Sequence, residues 1–416
     1  MTFPAIISVL ALAGAQDATP YAQPQGVSEP SRLAITPTID GTIALDEWDF
    51  FTKSNDGETY LQWEPGRLYV AGKIPVDRDL VLSLDNNQDG WLVGKDSFEF
   101  RLRMVDGKAK LICRQLDATN VAGPKWVGLP AFEKVALIQA KSNEATVQME
   151  AAILDPGLGL LPVRADEKYL MRIDVVAQSA QDAEPFYPRV GTLVKLMKER
   201  ASAMPVGLTW KVEDRGRELI PGESSRIRFS FSAKEDVGLR KIEIKPMGPL
   251  ADHATVIGQP FPAFDKKGRT FVDYQAKTTA DAPTGYHLVS TTLMTADGSP
   301  AVIQASVRVS PIVDMALASQ VLEIKSGDQE VKIAFLIRSN APNRLEGNST
   351  VIAPAGWEVT GGDETSFTIN RTREGVRRIL TVRIPAEAAG TFAFRFKAVI
   401  GQKEVEVVDW MRVVRK

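Results

Sequence analysis

The segment whose residue types and spacing are suited to chemistry reads Asp85-Asn86-Asn87-Gln88-Asp89-Gly90-Trp91-Leu92-Val93-Gly94-Lys95-Asp96. Counted from Asp85, side-chain oxygens stand first, third and fifth, a glycine sixth and a carboxylate twelfth. That is the spacing by which a loop of about twelve residues wraps hard oxygen donors around Ca²⁺. Asp85, Asn87, Asp89 and Asp96 would supply side-chain ligands, and the carbonyl of Trp91 with water would supply the rest. Gly90 permits the sharp turn. The last carboxylate is Asp where a longer, bidentate Glu is usual. The expected affinity is therefore that of extracellular modules, on the order of 10⁻⁴ to 10⁻³ M. A polar loop that turns without a metal is the alternative reading of the same residues.

Other site chemistries find little support. His253 and His287 are the only histidines and Cys113 the only cysteine, so no zinc cluster can be assembled from those types. No intramolecular disulfide is possible, and Cys113, in Lys110-Leu111-Ile112-Cys113, reads as a small core residue. Neither histidine stands beside a nucleophile motif. Glycoside hydrolysis needs two carboxylates about 5–10 Å apart. With 52 Asp and Glu, the sequence selects no such pair. There is no glycine-rich phosphate loop.

The elements that must position the loop are strands. Leu80, Leu82 and Leu84 precede it with a period of two. Phe98, Phe100, Leu102 and Met104 follow it, with Glu99, Arg101 and Arg103 on the opposite, solvent face. Strand flanks make the loop a staple between two strands rather than a helix–loop–helix switch. Ile227, Phe229 and Phe231, and later Val382 and Ile384, alternate in the same way. Turn dipeptides recur at Asp56-Gly57, Asp106-Gly107 and Asp297-Gly298. One stretch, Thr192 to Ala203, carries Leu193, Leu196 and Met197 at helical spacing and is expected to be a short helix closing the first domain.

At 416 residues the chain has room for two to four domains, at about 100–200 residues each. A net charge of −2 gives no electrostatic case for nucleic acid or an anionic membrane as partner. Residues 1–15 read as a secretory signal: an apolar run from Pro4 to Ala13, then the small-residue site Ala13-Gly14-Ala15. No apolar run is long enough to span a bilayer. The expected location is secreted or periplasmic. Residues 16–30 read as a linker. Gly222 and Gly285 are offset by 105 positions from Gly327 and Gly390, a period suited to immunoglobulin-like sandwiches of about 100 residues. The expectation is an all-β chain of three tandem β-sandwiches, at 31–205, 206–311 and 312–416.

The first of these resembles family 9 carbohydrate-binding modules and their relatives. The resemblance rests on Ile39-Asp40-Gly41, Leu45-Asp46-Glu47-Trp48, Arg67-Leu68-Tyr69-Val70-Ala71 and Gly94-Lys95-Asp96-Ser97-Phe98-Glu99-Phe100. It continues through Met149-Glu150-Ala151-Ala152-Ile153, Leu158-Gly159-Leu160 and Tyr169-Leu170-Met171-Arg172-Ile173. It implies a sandwich with structural calcium that binds saccharides on aromatic rings. A sugar presents an apolar CH face to a ring while its hydroxyls need polar partners. Trp91, Trp63 and Trp126 are the candidate ligand contacts, and Trp48 is expected in the core. The last domain is similar to the immunoglobulin-like modules attached to secreted glycosidases. That similarity rests on Ala353-Pro354-Ala355-Gly356-Trp357-Glu358-Val359 and Arg383-Ile384-Pro385-Ala386-Glu387-Ala388-Ala389-Gly390-Thr391-Phe392.

Three functions remain open. The first is a secreted, non-catalytic binder of oligo- or polysaccharide, stabilised by Ca²⁺ and partnered with a secreted carbohydrate-active enzyme. The second is a structural or adhesion module, and the third a hydrolase accessory or a hydrolase with an unrecognised site.

Overall fold

The computed structural model describes residues 31–415, other than 45, 120–123, 179–190, 203, 205–206, 214–216, 235–237, 259–267, 296–297, 326–329, 342 and 371–373. The expected signal segment, the linker and Gly327 lie outside the described residues. Strands dominate; the described exceptions are a six-residue helix α1 (Pro130–Val135) and short 3₁₀ turns such as Gly248–Asp252. No described helix is long and apolar enough to cross a membrane.

The first unit contains β1 (Ser31–Leu33), β2 (Asp49–Ser54), β3 (Gly57–Glu64), β4 (Arg67–Pro75), β5 (Arg78–Asp85) and β6 (Ser97–Val105). It continues with β7 (Lys108–Asp117), β8 (Lys125–Gly128), β9 (Leu137–Ser142), β10 (Thr146–Leu154), β11 (Lys168–Ala177) and β12 (Thr192–Met197). They form a seven-stranded sheet in the order β1-β12-β11-β5-β6-β7-β8 and a five-stranded sheet in the order β2-β3-β4-β10-β9. Alternate residues meet between the sheets: Leu80, Leu82 and Leu84 from β5, Phe98, Phe100 and Leu102 from β6, and Val147, Met149, Ala151 and Ile153 from β10. Burying each such Leu, Phe, Val, Met or Ile side chain contributes about 1.5–3 kcal/mol. The α1 residue Phe132 closes one end, its ring centroid 5.5 Å from Phe98 and 5.6 Å from Phe100.

The helix expected over 192–203 is replaced by strand among its described residues. Thr192–Met197 is β12, and Glu199–Ser202 is a strand of the next sheet. The apparent helical spacing has a simple cause. Val194 and Leu196 point into the sandwich core, whereas Leu193 packs on the outer face beside Leu92 and Leu170. A strand that is apolar on both faces mimics the i, i+3 pattern of a helix.

The second unit holds β13 (Glu199–Ser202), β14 (Leu208–Val212), β15 (Glu218–Leu219), β16 (Ser224–Ala233), β17 (Leu239–Pro246), β18 (Ala254–Gly258), β19 (Gly268–Thr278), β20 (Gly285–Thr295) and β21 (Pro300–Val309). The third holds β22 (Val313–Leu317), β23 (Val321–Ile324), β24 (Glu330–Ser339), β25 (Leu345–Ile352), β26 (Glu358–Gly361), β27 (Glu364–Ile369), β28 (Gly375–Arg383), β29 (Gly390–Ile400) and β30 (Lys403–Arg415).

Their topologies repeat. β14-β16-β19-β18 faces β13-β21-β20-β17, just as β22-β24-β28-β26 faces β23-β30-β29-β25-β27. In each, a short early strand lies parallel to the last one, β15 on β21 and β23 on β30. This is the A-B-E-D and C-F-G order of an immunoglobulin-like sandwich. Each unit has its own buried cluster, centred on Phe229, Phe231 and Tyr274 in the second and on Phe335, Phe394 and Phe396 in the third. Because β13 pairs with β21, the chain passes from the first sheet system to the second at Lys198, before the expected boundary at 205.

Candidate ligand and metal site on the outer face of the first sandwich

The Asp85–Asp96 loop joins β5 to β6 and folds over the outer face of the seven-stranded sheet. Asp85 lies on that face with no exposed surface. Its Oδ1 accepts the N–H of Gln88 at 2.9 Å and its Oδ2 that of Gly90 at 2.8 Å. Asn87 Oδ1 accepts the N–H of Asp89 at 3.0 Å, and Asp89 Oδ1 accepts that of Trp91 at 2.8 Å. The Ser97 hydroxyl donates to the carbonyl of Trp91 at 3.2 Å and to Asp96 at 3.4 Å. Gln88 and Gly90 both adopt positive φ, of 63° and 90°, which makes the reversal. Leu92 anchors the loop on Leu170, Leu193 and Trp126, and Gly94 donates its N–H to Leu116 at 3.1 Å.

All five expected metal-binding residues therefore share one loop. Their oxygens are engaged with the loop's own N–H and hydroxyl groups, and among the described residues no set of three acidic, His or Cys side chains converges on a metal-sized point. Burial pushes the Asp85 carboxyl up to about 6; the Gly90 and Gln88 N–H groups oppose this, and the negative charges of Asp89 and Asp96 add to it. Asn86 donates from Nδ2 to the Leu160 carbonyl at 2.8 Å, while its buried Oδ1 has no hydrogen-bond partner.

The tryptophans divide. Trp63 has no exposed surface, lies in the main core and donates from Nε1 to the carbonyl of Arg32 at 2.8 Å. The expectation that it contacts ligand is corrected: neither ring face is open, because on β3 its position points between the sheets. Trp48 is buried as expected, in a second small cluster with Tyr60, Tyr69 and Ala152 outside the five-stranded sheet. Trp91 and Trp126 are each half-buried; Trp126 packs with Leu92 where the loop meets β8, and Trp91 precedes Leu92 in the loop. The Arg114 guanidinium lies 4.0 Å from the Trp126 ring centroid.

Arg114 leads into a chain of charges that includes Glu99, Arg101 and Arg103, for which strand alternation predicts a solvent face. Arg114 pairs with Glu99 at 2.7 Å, Arg101 with Glu99 and with Asp79 at 3.3 Å each, and Arg103 Nε with Asp79 at 2.9 Å. Glu99, Arg101 and Arg103 are all less than 8% exposed. Alternation correctly separated these residues from the core but could not reveal that their own face is covered.

The motifs behind the family resemblance are also tied together. Glu150, fully buried, accepts the N–H groups of Asp40 at 3.0 Å and Gly41 at 2.6 Å, and the indole N–H of Trp48 at 3.1 Å. Glu47 accepts from the Thr38 hydroxyl at 2.9 Å. These acids hold the entering loop, a structural role that no single motif announced. Cys113 is buried in the core, and burial raises its thiol far above the reactive range.

The fold defines an all-β protein built from β-sandwiches. No family model and no curated protein matches the sequence. Among solved structures, a protein of unknown function from Porphyromonas gingivalis W83 aligns at 11% identity and a TM-score of 0.20, covering 49% of this chain and 99% of that one. The native conformation of Escherichia coli alpha-2-macroglobulin aligns at 11% identity and a TM-score of 0.25, with 86% of this chain covering 32% of that one. Red sea bream transglutaminase aligns at 10% identity and a TM-score of 0.25, covering 51% and 32%. Likeness at this level carries no functional argument.

Proposed function

We propose that the chain is an exported, non-catalytic saccharide-binding protein whose first sandwich holds ligand at Trp126 and Trp91. The observation that supports this reading is the half-buried Trp126 ring beside Arg114, at the end of the Arg114–Glu99–Arg101–Asp79 chain. An indole offers an apolar surface for a sugar CH face, and the partly exposed Arg114 guanidinium beside it suits sugar hydroxyls. Ca²⁺ belongs to the same reading. Asp85, Asn87, Asp89 and Asp96, with the Trp91 carbonyl, would hold it, and it would neutralise the mutual repulsion of Asp85, Asp89 and Asp96. Its role is to fix the loop that carries Trp91.

Affinity electrophoresis through gels containing soluble polysaccharides tests the proposal. Retardation by at least one neutral polysaccharide, reduced in Trp126→Ala, is the expected outcome. Unretarded migration in every gel contradicts it.

A further inference from the structure

The three sandwiches meet around a cavity of about 910 Å³ to which each contributes wall residues. The junction is built by specific bonds. Thr36 of the first unit donates its N–H to the Tyr286 carbonyl at 2.9 Å and accepts the Tyr286 N–H on Oγ1 at 2.8 Å. Gly285 allows this approach, because a Cβ there would stand 2.7 Å from Thr36. The Ser306 hydroxyl donates to the Ala34 carbonyl at 2.7 Å, and Lys403 Nζ of the third unit donates to the Pro221 carbonyl at 3.3 Å.

The wall chemistry has two features. Most of its charges have partners: Arg67 with Glu64 at 3.3 Å, Arg308 with Asp314 at 3.5 Å, and Glu404 and Glu406 with Lys397, outside the wall, at 3.2 and 3.3 Å, while Asp281 lies 3.5 Å from His253. Glu64 is only 9% exposed and is further fixed by the Tyr69 hydroxyl at 2.7 Å and by the Thr36 hydroxyl. The wall carries five carboxylates (Glu64, Asp281, Asp314, Glu404, Glu406) against three cations (Arg67, Arg308, Lys403), and Lys397 offsets part of the difference, so little net charge is left to select an ion. Second, the walls carry the half-buried rings of Tyr286 and Trp410 together with the exposed apolar side chains of Leu137 and Val408. A volume near the top of the usual 300–1,000 Å³ range, at a domain junction, with rings and fixed polar groups, describes a site for a neutral organic ligand.

We infer that this junction is a second saccharide site, in which Trp410 and Tyr286 receive sugar faces and the Arg67–Glu64 and Arg308–Asp314 pairs receive hydroxyls. The inference rests on the saccharide-binding reading above and adds a site that no single sandwich contains. A bound chain would touch all three units and hold them together.

The test is calorimetric titration of the full chain with cellohexaose, xylohexaose, maltohexaose and chitohexaose. The expected result is two sites per chain for a hexaose that binds. Trp410→Ala and Arg308→Ala, each checked for an unchanged melt, should weaken one of them about tenfold or more. The double variant Trp91→Ala/Trp126→Ala should remove the other. If a hexaose binds and both junction variants retain the full wild-type isotherm, the junction site is overturned while the first-sandwich reading stands. If no hexaose binds the wild-type chain, the saccharide reading itself falls, and this inference with it.

Discussion

The indole N–H of Trp48 donates to Oε1 of Glu150 at 3.1 Å, while Oε2 of the same buried carboxylate takes the N–H groups of Asp40 and Gly41. One side chain thus fixes both the turn that opens the first sandwich and the tryptophan that follows it. A hydrogen bond to a charged acceptor is worth about 1.5–3 kcal/mol. Glu150→Ala removes three and leaves their donors stranded, so a loss of roughly 3–5 kcal/mol in urea unfolding is expected. Trp48→Phe removes one and should cost about 1–3 kcal/mol. An unchanged urea midpoint in Glu150→Ala would mean that the loop is held by something else.

The two candidate platforms and the core tryptophan should separate cleanly. Trp63→Ala empties a site with no exposed surface and should destabilise the first sandwich by about 3–5 kcal/mol. Trp126→Ala sits at a half-buried edge and should cost about 1–2 kcal/mol while weakening ligand retention. Urea unfolding of the two variants side by side checks this; a larger loss for Trp126→Ala than for Trp63→Ala would reverse the assignment.

Calcium gives an independent handle. With a dissociation constant near 0.1 mM, 1 mM Ca²⁺ should stabilise the first sandwich by about 1.4 kcal/mol. Melting in EDTA and in Ca²⁺ should therefore differ for the wild-type chain and coincide for Asp85→Ala. Superimposed wild-type curves would exclude a site of that affinity.

His287 should make the second sandwich acid-sensitive. It is 3% exposed, its Nε2–H donates to the Pro283 carbonyl at 2.8 Å, and burial lowers its pKa below the usual imidazole value. The folded state therefore binds a proton less readily than the unfolded one. Its contribution to stability is complete above about pH 6.5 and is lost as the pH falls below that value. The wild-type melting temperature should drop between pH 7 and pH 5 by more than that of His287→Leu. Equal drops would remove His287 from the explanation.

Gly285→Ala should loosen the contact between the first two sandwiches. Its φ is 120°, and the new Cβ would collide with Thr36. Faster proteolysis between the units, with each core intact, is the expected outcome; a digestion pattern identical to wild type would show that the contact is dispensable.

Strand alternation made the β-sandwich architecture legible, because inward apolar rows such as Leu80–Leu84 and Ile227–Phe231 follow directly from a period of two. Alternation misled where both faces of a strand are covered. Leu193 imitated a helix, and Glu99, Arg101 and Arg103 were expected in water because a charge on the far face says nothing about what lies over it. The candidate site was partly legible. The Asp85–Asp96 spacing located the loop, but it could not show that the loop satisfies its oxygens with its own N–H groups. Tryptophan chemistry likewise gave three candidates without telling the core ring Trp63 from the edge ring Trp126, since that depends on strand phase. The junction residues Glu64, Arg67, Tyr286, Arg308 and Trp410 come from distant segments and share no motif, so only the fold assembles them.

The central claim is that the outer face of the first sandwich binds saccharide. The most direct measurement is a glycan array probed with the wild-type full chain, Trp126→Ala and Trp91→Ala in 1 mM Ca²⁺. Binding of a defined neutral glycan set by the wild type, weakened about tenfold or more in each folded variant, is the expected result. Wild-type binding to no glycan, or binding that both variants retain in full, would contradict it.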